Sequence, residues 1–316
     1  MRSVLFLFIF TSFLGYSQNF SSIKEVTRKY PKYLNAEKLA KRIASDFKTH
    51  EQQVKATFYW ISKNISYDLD SFHNSRQKRI HFSYRGEADK LKKIQEIKDG
   101  IVHKTFINRK AVCEGYAQTF SKICTLLNIK NSVIKGYVRN SINDINNIRN
   151  ITNHAWNAVK IKGKWIYLDA TWAAGFVYNN KWVQKFNSYY YNITEDKYFK
   201  THFPESKLWQ LRVSRISKEQ FYNQPIYNSN FLNSNLDLIS PKTGLIKKRG
   251  VLKFKIRNLK PTQKVLLGFS NYKYANKPNN ISFKNNVATI EIIVPKNSKG
   301  LFLIIDGEVV LEFLIE

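Results

Sequence analysis

Apolar positions along the chain follow three rhythms. Residues 1–17 place a mostly apolar run, Val4 to Leu14, behind Arg2 and ahead of Gly15 and Ser17. That is the layout of an export signal cut before Gln18. From residue 36 the spacing turns helical: Leu39, Ala40, Ile43 and Phe47 mark a helix over 36–47 with Asn35 able to cap it, and Val54, Phe58 and Ile61 mark another over 51–62. A basic connection over 70–110 includes Arg76-Gln77-Lys78-Arg79, read as a solvated loop, and a short helix over 87–98 that Gly100 would stop. Tyr116, Ala117, Phe120, Ile123, Cys124 and Leu127 then recur at helical spacing over 113–127.

Beyond that helix the period falls to two. A strand is expected over 132–138, a variable loop over 139–152, and a hairpin whose arms, 154–161 and 164–171, flank Lys162-Gly163. With those two residues as the loop, Ile161 opposes Lys164 and His154 opposes Thr171, which makes Asp169 a diagonal neighbour of His154. The face they share also carries Trp156, Trp165 and Tyr167, while Val159, Ile161, Ile166 and Leu168 fall on the other. A one-residue slip would destroy that division. Further strands or loops are expected at Lys181-Trp182 and Ser188 to Tyr191, with a short helical stretch over 217–221. From about residue 230 alternating runs at 251–256, 265–269, 286–294, 301–305 and 309–314, separated by turn segments such as Asp306-Gly307, describe a small β-sandwich. The chain therefore divides into 1–17, 18–229 and 230–316.

Composition sharpens the picture in two places. At 316 residues and 43% hydrophobic the chain has ample material for folded domains. Its net charge of +29 invites a nucleic-acid reading, but residues 231–316 hold +8 of it and the remainder +21, which is an even spread. Dedicated nucleic-acid surfaces concentrate charge, so no specific nucleic acid is expected, and an anionic surface is the wider partner class. The two cysteines, Cys113 and Cys124, lie on one expected helix roughly 16 Å apart at the helical rise, against about 7 Å tolerated by a disulfide. Cys113 is thus expected to be a free thiol, unusual in an exported protein. It falls in the first turn of its helix, where unpaired N–H groups and the helix dipole favour a thiolate. Cys124 shares the apolar stripe and reads as core, as does Trp60. Glu114 reads as a first-turn residue favoured by the dipole.

Cys113, His154 and Asp169 are consequently the candidate catalytic residues, with Tyr116 and Trp156 as candidate substrate contacts. No His-Glu-x-x-His or Cys-x-x-Cys arrangement is present, so neither a metal nor another cofactor is expected.

The ordered set Tyr59-Trp60-Ile61, Asn64-Ile65-Ser66-Tyr67-Asp68, Ala111-Val112-Cys113-Glu114-Gly115-Tyr116-Ala117, Asn153-His154-Ala155-Trp156-Asn157 and Leu168-Asp169-Ala170-Thr171-Trp172 resembles the transglutaminase-like superfamily. His202-Phe203-Pro204 with Trp209-Gln210-Leu211 resembles the trailing signature of the branch named for kyphoscoliosis peptidase. Ala111 stands where such motifs commonly carry glycine. The resemblance covers about residues 40–225 and implies an α+β, papain-like core with Cys113 as nucleophile, His154 as general base and acid, and Asp169 as the orienting carboxylate. It implies a cysteine peptidase or amidase working through an acyl-thioester on a protein or peptide. Amine transfer onto the same intermediate and an inactive binding module are the alternatives. The leader implies a periplasmic or secreted protein.

Overall fold

The computed structural model describes residues 20–31, 33–74, 82–248 and 250–316. The expected export signal and Arg76-Gln77-Lys78-Arg79 lie outside the described residues.

Three helices build one wall of the first domain. Ala36–Asp46 begins at Asn35, whose side chain accepts from Lys38 N–H, and His50–Asn64 begins in a capping box formed by Thr49 and Gln52. The third departs from expectation: Glu87–Asn108 runs straight through Gly100 and ends only at Arg109, in the left-handed region with φ 51°. Glycine costs a helix interior about 1 kcal/mol relative to alanine. Burial of Val102, Thr105 and Phe106 on the far side of Gly100 outweighs that cost, so packing rather than local propensity sets this helix end. The Cys113–Leu126 helix lies against it. A Cβ at Gly115 would sit 2.6 Å from Ala111 Cβ and 2.9 Å from Thr105 Oγ1, so the two segments approach this closely only because residue 115 has no side chain.

Behind the Cys113 helix stands an antiparallel sheet of five strands in the order Tyr191–Ile193, Lys164–Leu168, His154–Ile161, Asn131–Val138, His202–Pro204. The hairpin has the expected register, from Ile161 opposite Lys164 to Asn157 opposite Leu168. Its loop places Lys162 at φ 47° and Gly163 at φ 82°, the paired left-handed conformations that a two-residue hairpin requires. The second arm is shorter than expected. Asp169 leaves the strand and caps the helix Ala170–Ala174, accepting from Thr171 and Trp172 N–H, so Thr171 is helical and does not face His154.

Neither face of the His154 strand is open. On one side Asn157 Nδ2 donates to Ala117 O of the Cys113 helix at 3.0 Å. On the other, Trp156 Nε1 donates to Tyr198 OH at 3.0 Å, and the Tyr167 ring stacks on Tyr198 with centroids 3.8 Å apart. The aromatic face is thus a second core layer, roofed by the helix Glu195–Thr201.

Residues beyond 225 form a sheet-built unit with one short helix, Ser229–Asn233, and its own core, built on Phe254, Ile290, Leu303 and Phe313. One sheet has the order Asp237–Ser240, Val251–Arg257, Val287–Ile293, Asn280–Lys284; the other joins Ile226–Tyr227, Glu308–Ile315, Gly300–Ile305 and Val265–Phe269. Alternation made the central strands legible: Phe254 and Ile256 are buried while Lys253, Lys255 and Arg257 are exposed. The edge strand Asn280–Lys284, mostly exposed, has no such pattern and was not expected.

Candidate active site

Cys113 is the first residue of its helix. The capping residue, Val112, is extended and supplies no side-chain acceptor; Gly115 N–H donates to Val112 O, so the Cys113 and Glu114 N–H groups are those left to whatever occupies the Cys113 end. The thiol is partly exposed, Cys124 is buried, and both are free. Burial pushes the Cys124 thiol up, which makes it an inert core residue. Glu114 is engaged by Gln118 Nε2 at 2.9 Å and by Lys135 Nζ at 3.7 Å, in keeping with a structural place in the first turn.

His154 opens the central strand and is 8% exposed. Its Nε2 lies 2.6 Å from Asp169 Oδ2. Asp169 therefore takes Nε2, and Cys113 bears on the same imidazole electrostatically. Burial pulls the imidazole's pKa down, but the charge and hydrogen bond of Asp169, aided by Cys113, outweigh it and hold His154 above the usual histidine range. The ring is wedged between Trp156 and Trp172, at 5.9 Å and 5.7 Å.

Asp169 is completely buried. Desolvation opposes its charge, yet His154 and His202 together keep the carboxyl well below the usual range. Each oxygen is accounted for: Oδ1 accepts from Thr171 and Trp172 N–H, and Oδ2 receives both His154 Nε2 and, at 3.0 Å, His202 Nε2. His202 Nδ1 lies 2.7 Å from Thr201 Oγ1. Burial pushes the His202 pKa down.

His154, Asp169 and His202 offer three ligand-type atoms within 4.8 Å of one another, which raises the question of a metal. The donor set does not fit one: the nitrogens concerned point at the carboxylate oxygen itself, and a cation among them would have to break both hydrogen bonds.

Tyr67 flanks the site. Burial raises its pKa, and the charges of Cys113 and Asp169 add to the rise. Its ring packs on Trp182 at 5.5 Å and on Phe72 at 5.8 Å, giving the Cys113 end an aromatic border. Tyr67 stood in the sequence motif without a role, and its place at the site depends on the pairing of Ser66–Tyr67 with Lys110–Ala111.

The structure brings His154 and Asp169 into contact, with Cys113 bearing on His154 electrostatically, and it moves the two expected substrate contacts into the core. Tyr116 and Trp156 are each 1% exposed; Tyr116 OH donates to Ile65 O, and Trp156 is spent on Tyr198. Both lie next in space to site residues because they pack beneath them. His202 is the residue that sequence reasoning left without a function. Its only signal was its place in the trailing motif.

Comparison with known proteins adds a family to this fold. Residues 37–170 match the transglutaminase-like superfamily. Human kyphoscoliosis peptidase is 27% identical over 214 residues, covering 67% of this chain and 29% of that protein. The mouse kyphoscoliosis peptidase is 28% identical over 199 residues, covering 62% and 27%. The Lim and transglutaminase domain protein ltd-1 of Caenorhabditis elegans is 26% identical over 185 residues, covering 53% and 25%. The chain spans less than a third of the length of each of these relatives. Residues 37–170 are thus the part of the chain that matches the transglutaminase-like superfamily, and the similarity to kyphoscoliosis peptidases supports the branch of that name.

Proposed function

We propose that the protein is a thiol hydrolase that cleaves peptide or side-chain amide bonds in polypeptides. The observation that carries this reading is the 2.6 Å contact between His154 Nε2 and Asp169 Oδ2; Cys113, at a helix amino terminus, bears electrostatically on the same imidazole. With Cys113 as nucleophile, His154 as base and Asp169 as orienting group, the three roles that nucleophilic acyl chemistry needs are filled.

In the first step Cys113 Sγ attacks the carbonyl carbon, a carbon–sulfur bond forms, and the carbonyl electrons pass to oxygen. The Cys113 backbone N–H, at the start of the helix, supplies one donor to that oxygen. Collapse breaks the carbon–nitrogen bond, and the His154 imidazolium gives its proton to the departing amine. Water then attacks the thioester while His154 takes a proton from it; the acid leaves and Cys113 returns as thiolate. Asp169 keeps its negative charge throughout. An amine in place of water would give cross-linking from the same thioester. Hydrolysis is preferred because the relatives with the longest matches are named peptidases. With the expected leader, the protein's site of action lies outside the cytoplasm.

The test uses the full chain, an unfolded reporter protein and a fluorescent primary amine. Release of peptides or ammonia without amine incorporation, abolished by Cys113→Ala in a folded variant, is the expected result. Incorporation of the amine would favour transfer, and turnover unchanged by Cys113→Ala would overturn the reading.

A further inference from the structure

His202 makes a contact that the acyl chemistry does not itself call for. It lies 33 residues beyond Asp169, on the strand at the far edge of the sheet, and is fully buried. Its ring is fixed on three sides: stacked on Tyr198 at 5.6 Å, edge-on to Trp156 at 4.9 Å, and tilted against Trp172 at 4.9 Å. Both ring nitrogens are spoken for, Nε2 by Asp169 Oδ2 at 3.0 Å and Nδ1 by Thr201 Oγ1 at 2.7 Å.

Those partners determine where the proton sits. An ionised carboxylate only accepts, so Nε2 carries hydrogen. Thr201 Oγ1 has two acceptors in reach, His202 Nδ1 at 2.7 Å and Tyr198 O at 3.3 Å, and the nearer nitrogen is the better placed. A bare Nδ1 that accepts a hydrogen bond from the Thr201 hydroxyl, with hydrogen on Nε2 alone, makes the ring neutral. A second positive ring would stand 5.8 Å from that of His154 and compete with it for the one carboxylate.

We infer that His202 is a positioning residue: a neutral imidazole, its proton on Nε2, that holds Asp169 Oδ2 in line for His154 while leaving the carboxylate's charge to His154 alone. The chain Thr201 hydroxyl, His202, Asp169, His154 then fixes the tautomer and ring orientation of the base. The fall in the His202 pKa on burial agrees with a ring that stays uncharged.

This inference rests on the thiol-enzyme reading only in its consequence for Cys113, and the experiment separates the two. In the full chain labelled with 15N-histidine, long-range proton–nitrogen spectra, assigned with His202→Gln, should show His202 protonated on Nε2 alone from about pH 5.5 to about pH 8, the window in which an ordinary histidine titrates. A proton on Nδ1, or titration of His202 within that window, overturns the proposal. Alkylation of Cys113 by iodoacetamide gives the second readout. His202→Gln retains an N–H donor and should stay within about threefold of the native rate, whereas His202→Leu should lose about tenfold at about pH 6, equivalent to one pK unit of ion-pair support. At about pH 9, where ordinary thiols ionise unaided, the loss should shrink to about twofold. Equal rates for the two variants, or equal losses at both pH values, contradict a positioning role. Should His202→Leu fail to fold, the tautomer of the native chain decides. A native Cys113 no more reactive than in denatured protein sinks the thiol-enzyme reading and leaves the tautomer result standing.

Discussion

Asp169 does two jobs with its two oxygens. Oδ1 starts the helix Ala170–Ala174, and Oδ2 gathers two imidazoles, so a local capping choice fixes the position of the catalytic acceptor. Asp169→Asn separates the jobs: the amide oxygen can still cap, while its nitrogen can no longer accept from His154. Turnover should fall at least about hundredfold, as for loss of a positioned base, with the fold retained by circular dichroism. Because the Asp169 carboxyl is held below its unfolded value, its contribution to stability is present above about pH 4 and is lost as the pH falls further. His202, held down by burial, contributes above about pH 6.5 and loses that contribution below it. His154, held up, contributes below about pH 6.5 and loses it only as alkaline pH strips its proton. The gap in melting temperature between native protein and Asp169→Asn should therefore be wide near neutrality and narrow below about pH 4. A gap independent of pH would contradict the assignment. At this scale the meeting of His154 and Asp169 was legible because hairpin register bears directly on it. His202 was not, since only the long return of the chain to the sheet edge brings it beside Asp169. Tyr116 and Trp156 were misread because a helix or strand face gives direction, not depth.

Elements were legible where pattern and packing agree. The hairpin register followed from two turn residues and alternation. The long helix did not, because a glycine reads as a stop locally and the burial that overrides it is tertiary. The two glycines in these helices make opposite predictions. A Cβ on Gly100 would meet nothing within 4 Å, so Gly100→Ala should raise stability by about 0.5–1 kcal/mol. Gly115→Ala, by contrast, presses a methyl into Ala111 and Thr105 and should cost about 1–3 kcal/mol. It should also slow Cys113 alkylation, since the first turn must shift. Denaturant midpoints at constant slope measure both changes, and stabilisation by Gly115→Ala would refute the close approach of the two segments.

Across the whole molecule two cores meet along one seam. Arg139, only 3% exposed, donates to the carbonyls of Lys200, Gln224 and Pro225, and so ties the end of the catalytic sheet to the chain entering the sandwich. Alternation announced that sandwich, but its weakly patterned edge strands and the strand Ile226–Tyr227 emerge only from pairing. Among the described residues no helix is long and apolar enough to cross a membrane. What the assembled fold achieves is to bring the start of one strand and the cap of one helix into contact, with the helix that begins at Cys113 packed against both elements. The most direct test of that convergence is the rate of Cys113 alkylation by iodoacetamide at about pH 6, followed by mass spectrometry, in native, denatured and His154→Ala protein. A thiol activated by His154 should be labelled at least about tenfold faster in the native chain than in the other two, a factor equal to one pK unit. Equal, slow labelling in all three would contradict that activation.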